Sequence, residues 1–202
     1  MSEDKALIEE AARRENEWVR ARILKQDPPA EGSLLKIAER ARDMAANSLG
    51  KEHPAYAVAL QNLGLYYDAI ENDTAKANEL FAQARAVLKD DDLPLAYGFH
   101  WLGIFHNEVS HDANRAEAPL AEALAIQRRA PGCDDVQLAE TMIALADAKS
   151  VKTGIHSAIA LLEEALAILR ARAPEANSIL LNAEKRLGVL TTLRRMQIED
   201  DS

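Results

Sequence analysis

Four dipeptides recur along this chain at nearly equal intervals, and they constrain its fold more than any other feature. Leu63-Gly64, Leu102-Gly103, Leu145-Ala146 and Leu187-Gly188 are separated by 39, 43 and 42 residues. Each lies in a helical pattern with a residue three before the leucine in register: Leu60, Phe99, Met142 and, in the last copy, the polar Glu184. A second helical pattern follows in the first three copies, marked by Ala77, Phe81 and Ala84, then Ala116, Leu120 and Ala123, then Ala158, Leu162 and Ala165. A period of this length is the mark of an array whose units bury their apolar faces against their neighbours.

The small residues have a packing reason. Gly or Ala lets two helix backbones approach, and a large residue one turn away fills the gap beside them. An Ala-x-x-x-large-x-x-Ala string puts all three residues on one face at 3.6 residues per turn. Breakers fall at matching places. "ENDTAK", "SHDANR" and "KTGIHS" join the two helices of a copy, while "KDDDLP", "APGCDD" and "RAPEAN" join one copy to the next.

Composition agrees with a helical array. Of 202 residues, 48% are apolar but only 4% aromatic, so the helices are built on small aliphatic side chains. The net charge of −9, with acid concentrated in Asp90-Asp91-Asp92, Asp134-Asp135 and Glu199-Asp200-Asp201, argues against nucleic acid or an anionic membrane as the main partner. The single cysteine, Cys133, excludes an intramolecular disulfide and a four-cysteine metal site, and its aspartate neighbours are expected to raise the thiol's pKa rather than activate it. No stretch has the length of a signal-peptide core or a membrane span, so the expected location is the cytoplasm.

The pattern Leu60-x-x-Leu63-Gly64-x-x-Tyr67 followed by Ala77-x-x-x-Phe81-x-x-Ala84 resembles the tetratricopeptide repeat. The stretch "LGKEHPAYAVALQNLGLYYDA" is more narrowly similar to the longer repeat of kinesin light chains, in which a Leu-Gly turn is followed by a His-Pro that opens the next helix. The period of about 42, against the usual 34, fits that subclass. The resemblance covers roughly residues 34–193. Later copies depart from it: His106 and Lys149 stand at the Tyr67 place, and Leu93-Pro94 and Asp135-Val136 at the His-Pro place.

The resemblance implies an all-α fold of antiparallel helix pairs in a right-handed superhelix, about nine helices in one domain over 1–202. Residues 4–50 would be an N-terminal helix plus a diverged repeat, in which Leu7, Ile8, Ala11, Trp18, Val19 and Ile23 are spaced for one face and "DPPAEGS" ends the helix. Full repeats would cover 53–91, 92–133 and 134–174. A polar helix over 175–197 would cap the array before an acidic tail at 198–202.

In the tetratricopeptide family the first helix of each pair lines the concave groove. At 100° per residue, positions two before and one, two and five after the large residue point there. The first copy offers Val58, Gln61, Asn62 and Leu65; the second, Tyr97, His100, Trp101 and Ile104. The third offers Glu140, Ile143, Ala144 and Asp147; the last, Asn182, Lys185, Arg186 and Val189. Asn62 matches the groove asparagine with which related repeats bind a peptide, but Trp101, Ala144 and Arg186 stand at its place in the other copies. The face of Tyr97, His100, Trp101 and Ile104 is opposite that of Phe99, Leu102 and His106. It is therefore either a partner patch or a face covered by another element, such as the N-terminal helix or a second subunit.

The chemistry-bearing residues do not assemble into a familiar reaction centre. His100 and His106 are 240° apart around a helix, so one ion does not reach both, and no HExxH, paired cysteine, phosphate loop or nucleophile elbow occurs. The expected function is non-catalytic and cofactor-free: a scaffold or adaptor that holds a peptide or partner protein, with Trp101, Tyr97 and His100 as anchors, Asn62 and Gln61 as hydrogen-bond donors and Arg186 for an acidic group. The alternatives are a homo-oligomerising structural protein and a regulatory subunit of a larger complex.

Overall fold

Aspartate caps set the punctuation of this chain. In "ENDTAK" and "SHDANR" a residue with left-handed backbone, Asn72 or His111 (both φ +52°), turns the chain, and the next residue caps the following helix. Asp73 accepts from the Lys76 backbone N–H, and Asp112 from those of Asn114 and Arg115; such caps are each worth about 1 kcal/mol. In the third copy, Gly154 (φ +113°) supplies the turn instead. His53 opens its helix differently: its Nδ1 accepts from Ala55 N–H, with Pro54 in the first turn.

The computed structural model describes residues 2–25, 33–88, 93–152, 154–173 and 175–200. Among them are nine α-helices and no strand: α1 (Ser2–Leu24), α2 (Ser33–Ser48), α3 (Pro54–Ala69), α4 (Thr74–Val87), α5 (Leu93–Ile104), α6 (Ala113–Arg129), α7 (Asp135–Lys152), α8 (Ile155–Arg172) and α9 (Asn177–Asp200). A π-helical turn, Phe105–Val109, extends α5. Residues 27–32 of the expected breaker and the acidic cluster Asp90-Asp91-Asp92 lie outside the described residues. Two compact units divide at Gly98, within α5.

In the first unit α1 packs on α2 and α3, and α3 packs on α4. The Leu63-Gly64 step is the contact between α3 and α4: a Cβ on Gly64 would lie 2.9 Å from the Phe81 ring. Ala77 and Ala84, one turn to either side of Phe81, are buried as expected, as are Leu34, Ala38 and Ala41 on α2. The N-terminal helix is a correction. Its buried face is Ala12, Asn16, Val19 and Ile23, whereas Leu7 is 69% and Trp18 37% exposed and Ala11 is exposed. The apolar pattern placed that face wrongly because the true stripe carries a polar residue, Asn16, at its centre.

In the second unit the same joint recurs: a Cβ on Gly103 would lie 2.3 Å from Leu120 Cγ. Ala116, Leu120, Met142, Leu145, Ala158, Leu162 and Ala165 belong to one core in which α6, α7 and α8 meet. The diverged Tyr67 place is refilled differently in each copy. His106 is buried with its ring 5.4 Å from Phe105, and Lys149 makes a 2.8 Å ion pair with Glu117 on α6.

α9 corrects a second expectation. It runs to Asp200, through part of the expected acidic tail, and its outer face carries apolar side chains. Leu181, Val189, Leu193 and Met196 are 45–68% exposed and lie within a 120° arc at 100° per residue. Gly188, unlike Gly64 and Gly103, has nothing within 4 Å of where its Cβ would be.

Candidate partner-binding pocket

Three successive first helices of the second unit, α5 with its π turn, α7 and α9, enclose a pocket of about 330 Å³. Most of the residues expected to line a groove in this part of the chain meet there. His100, Trp101 and Ile104 come from α5, Glu140, Ile143, Ala144 and Asp147 from α7, and Asn182 and Arg186 from α9. Glu108, Ser178 and Ile179 complete the wall. These three were not expected: Ser178 and Ile179 continue the α9 stripe by one more turn at 100° per residue, whereas Glu108 lies in the π turn.

The π turn brings Glu108 to the wall. Its wider backbone loop closes with Ser110 N–H donating to Phe105 O over 3.0 Å, and such single-turn π segments re-aim side chains within a helix. Asn107 in the same turn donates from Nδ2 to the Ala144 carbonyl over 2.7 Å, tying the turn to α7. Nothing in the sequence marks a π turn as distinct from an α-helical one.

The electrostatics are set by three carboxylates and one guanidinium. Arg186 Nε lies 2.9 Å from Asp147 Oδ1, and Arg186 Nη1 donates to Asn182 Oδ1. The guanidinium expected to receive an acidic ligand is therefore engaged within the protein. Burial pushes the Asp147 carboxyl above its ordinary range; Arg186 opposes this and Glu108 adds to it. Glu140 is also raised, first by burial and then by Asp134 and Glu108. A second hollow, of about 390 Å³, shares Asp147, Asn182 and Arg186 and continues to Lys185 and Val189.

Other expected groove residues are placed elsewhere. Gln61, Asn62 and Leu65 are buried and Val58 is half-buried. Gln61 Nε2 donates to the Leu95 carbonyl over 3.4 Å, and its amide fills the space a Cβ on Gly98 would need, at 2.4 Å. Asn62 Nδ2 donates to both the Asn16 carbonyl (3.2 Å) and Asn16 Oδ1 (3.0 Å) on α1. These amides, expected as donors to a ligand, are spent inside the first unit. Tyr97 is half-buried, belongs to the first unit, and is not part of the pocket wall. His100 is a further correction: it is 2% exposed, its Nδ1 lies 2.9 Å from Thr141 Oγ1, and its ring meets Trp101 edge-on at 4.9 Å.

The remaining reactive groups stand apart from this pocket. Cys133, in the turn before α7, has its thiol pKa raised by burial first and by Asp134 and Asp135 after that. His111 occupies its left-handed turn position, exposed. Among the described residues, no group of three or more His, Cys, Asp or Glu is arranged to hold a metal ion, and no helix is long and apolar enough to cross a membrane.

Comparison with known proteins matches the helical fold. The family model described as "Tetratricopeptide repeat" matches residues 34–90. A search of curated proteins gives no match. Among solved structures, the chain is similar to nearly identical TPR-like repeats assigned to a kinesin light chain of Podosopora anserina, with 19% identity and a TM-score of 0.64 over 95% of this chain and 90% of that one. A single-residue variant of that protein gives the same figures. The tetratricopeptide fold is generally a scaffold for protein–protein interaction, and its members are typically non-catalytic. Residues 34–90 thus match the tetratricopeptide repeat by sequence, and over 95% of its length the chain has the all-α fold of TPR-like repeats.

Proposed function

We propose that the protein is a non-catalytic adaptor that holds a segment of a partner protein in the pocket lined by α5, α7 and α9. The observation that carries this reading is convergence. Nine residues that the tetratricopeptide resemblance and helical spacing assign to the groove faces of three first helices line a single pocket of about 330 Å³, with Trp101 and Ile104 in its wall. Aromatic side chains in partly enclosed sites are characteristic anchors of interfaces. Gln61, Asn62 and Leu65 support the first unit and take no part in the site.

Peptide display tests the reading. Selection on the full chain should enrich peptides whose binding weakens at least about tenfold in Trp101→Ala, the loss typical of an anchor residue, while helical circular dichroism is unchanged. Absence of enrichment, or equal binding by the variant, would overturn it.

A second reading, self-association, is favoured by one observation: the exposed apolar arc Leu181, Val189, Leu193 and Met196 on α9 beside the open Gly188. Light scattering separates the two surfaces. An oligomer that dissociates in Leu193→Glu supports self-association through α9, and one that dissociates in Trp101→Ala would instead remove the adaptor reading of the pocket.

A further inference from the structure

The pocket of the second unit is unbalanced in charge. Glu108, Glu140 and Asp147 face one guanidinium, Arg186, and that group is already held by Asp147 and Asn182. Two carboxylates are left without a cation among the described residues. The charged neighbours acting on Glu140 are Asp134 and Glu108, both acidic. A half-buried carboxylate beside like charges is costly to ionise, and an incoming cation relieves that cost.

The walls narrow the class of cation. Trp101, Ile104, Ile143 and Ala144 give the pocket apolar sides, which a hydrated metal ion does not use. A lysine or arginine side chain matches both parts, since its methylene stem covers apolar surface while its head stays with polar groups. An indole in the wall adds attraction for a cationic head. An acidic side chain meets net repulsion and finds the one guanidinium occupied.

We propose that this pocket takes a lysine or arginine side chain of the bound partner segment, its stem along Trp101 and Ile104 and its cationic head at Glu108 and Glu140. The proposal rests on the partner-binding reading above and adds the chemistry of the partner. It opposes the expectation of an acidic ligand for Arg186.

Pools of immobilised nine-residue peptides, degenerate except at the central position, test it. The centre is fixed in turn as Arg, Lys, Leu or Glu, and retention of the full chain is measured on each. The Arg and Lys pools should retain the wild type about tenfold more than the Glu pool, a preference consistent with partly screened ion pairs. In the Glu108→Gln/Glu140→Gln double variant the preference should fall to near parity. These near-isosteric changes remove charge at partly exposed positions, and Trp101→Ala, which should lower retention on every pool, provides an independent handle. Equal retention on all pools with loss in Trp101→Ala would overturn the basic-ligand proposal and leave the adaptor reading standing. Preference for the Glu pool would overturn it too. No retention on any pool would overturn both.

Discussion

The Nδ1 atom of His100 lies 2.9 Å from Thr141 Oγ1, and this buried bond joins two successive first helices. Thr141 Oγ1 is also 3.0 Å from the Gln137 carbonyl, one turn back on α7. A hydroxyl carries one proton, so both contacts are satisfied together when Thr141 donates to Gln137 and the His100 Nδ1–H donates to Thr141. Gln61 meets Gly98 in the same repeat register, the residue after the large position against the one before it. The contact between first helices is therefore a repeated joint, filled by different chemistry in each copy.

Thr141→Val keeps the shape of this joint and removes its oxygen. With a buried ring nitrogen left without its partner, the loss should be about 1–3 kcal/mol, read as a lower denaturant midpoint. An unchanged midpoint would mean that the bond adds nothing to folding.

The three Leu-Gly glycines should respond to Ala with different signs. Gly103→Ala places a Cβ 2.3 Å from Leu120, and Gly64→Ala places one 2.9 Å from Phe81; overpacking of this kind costs about 1–3 kcal/mol, with Gly103 the worse. Gly188→Ala meets nothing within 4 Å and should gain up to about 1 kcal/mol of helix propensity. Thermal melts of the three variants check the order, which fails if Gly188→Ala is as damaging as Gly103→Ala.

Asn62 should behave as a structural residue. Asn62→Ala breaks its two bonds to Asn16 and leaves buried polar atoms unpaired, a loss of about 1–3 kcal/mol. Peptide binding in the second unit should be unaffected. A double-mutant cycle with Asn16→Ala should show coupling between the two sites; a coupling of zero would contradict the contact.

Glu140 sets a pH dependence. Its folded pKa is raised, chiefly by burial and further by Asp134 and Glu108, so the folded chain holds this proton more tightly than the unfolded one. That contribution is fully present below the ordinary value of 4.5 and is lost as pH rises through the folded pKa. Glu140→Gln, which cannot ionise, should therefore melt higher than wild type at neutral pH, and the difference should shrink as the pH falls below 4.5. A variant that melts lower at neutral pH would show that the carboxylate is compensated.

Much of this protein is legible from its residues. The Leu-Gly register, the Ala-x-x-x-large-x-x-Ala faces and the Asp-capped turns locate the helices and pair them, because close packing admits only small residues at those points. The same register, with the resemblance's assignment of first helices to the groove, puts nine residues of the pocket wall on the groove faces of three helices. Helical periodicity fixes the direction in which each side chain leaves its helix, and to that extent the sequence by itself determined the candidate site.

What lies in that direction was decided by tertiary structure. Gln61 and His100 point from their helices as periodicity requires, yet each meets the next first helix and is buried. Asn62 is covered because α1 turns its Asn16 face inward, a rotation that an apolar pattern interrupted by asparagine does not reveal. Arg186 finds Asp147, which is 39 residues away in sequence, and Glu108 reaches the wall through a π turn. Each of these outcomes depends on how far apart neighbouring helices settle and how they are rotated. Those are properties of packed pairs, and the periodicity of a single helix does not contain them.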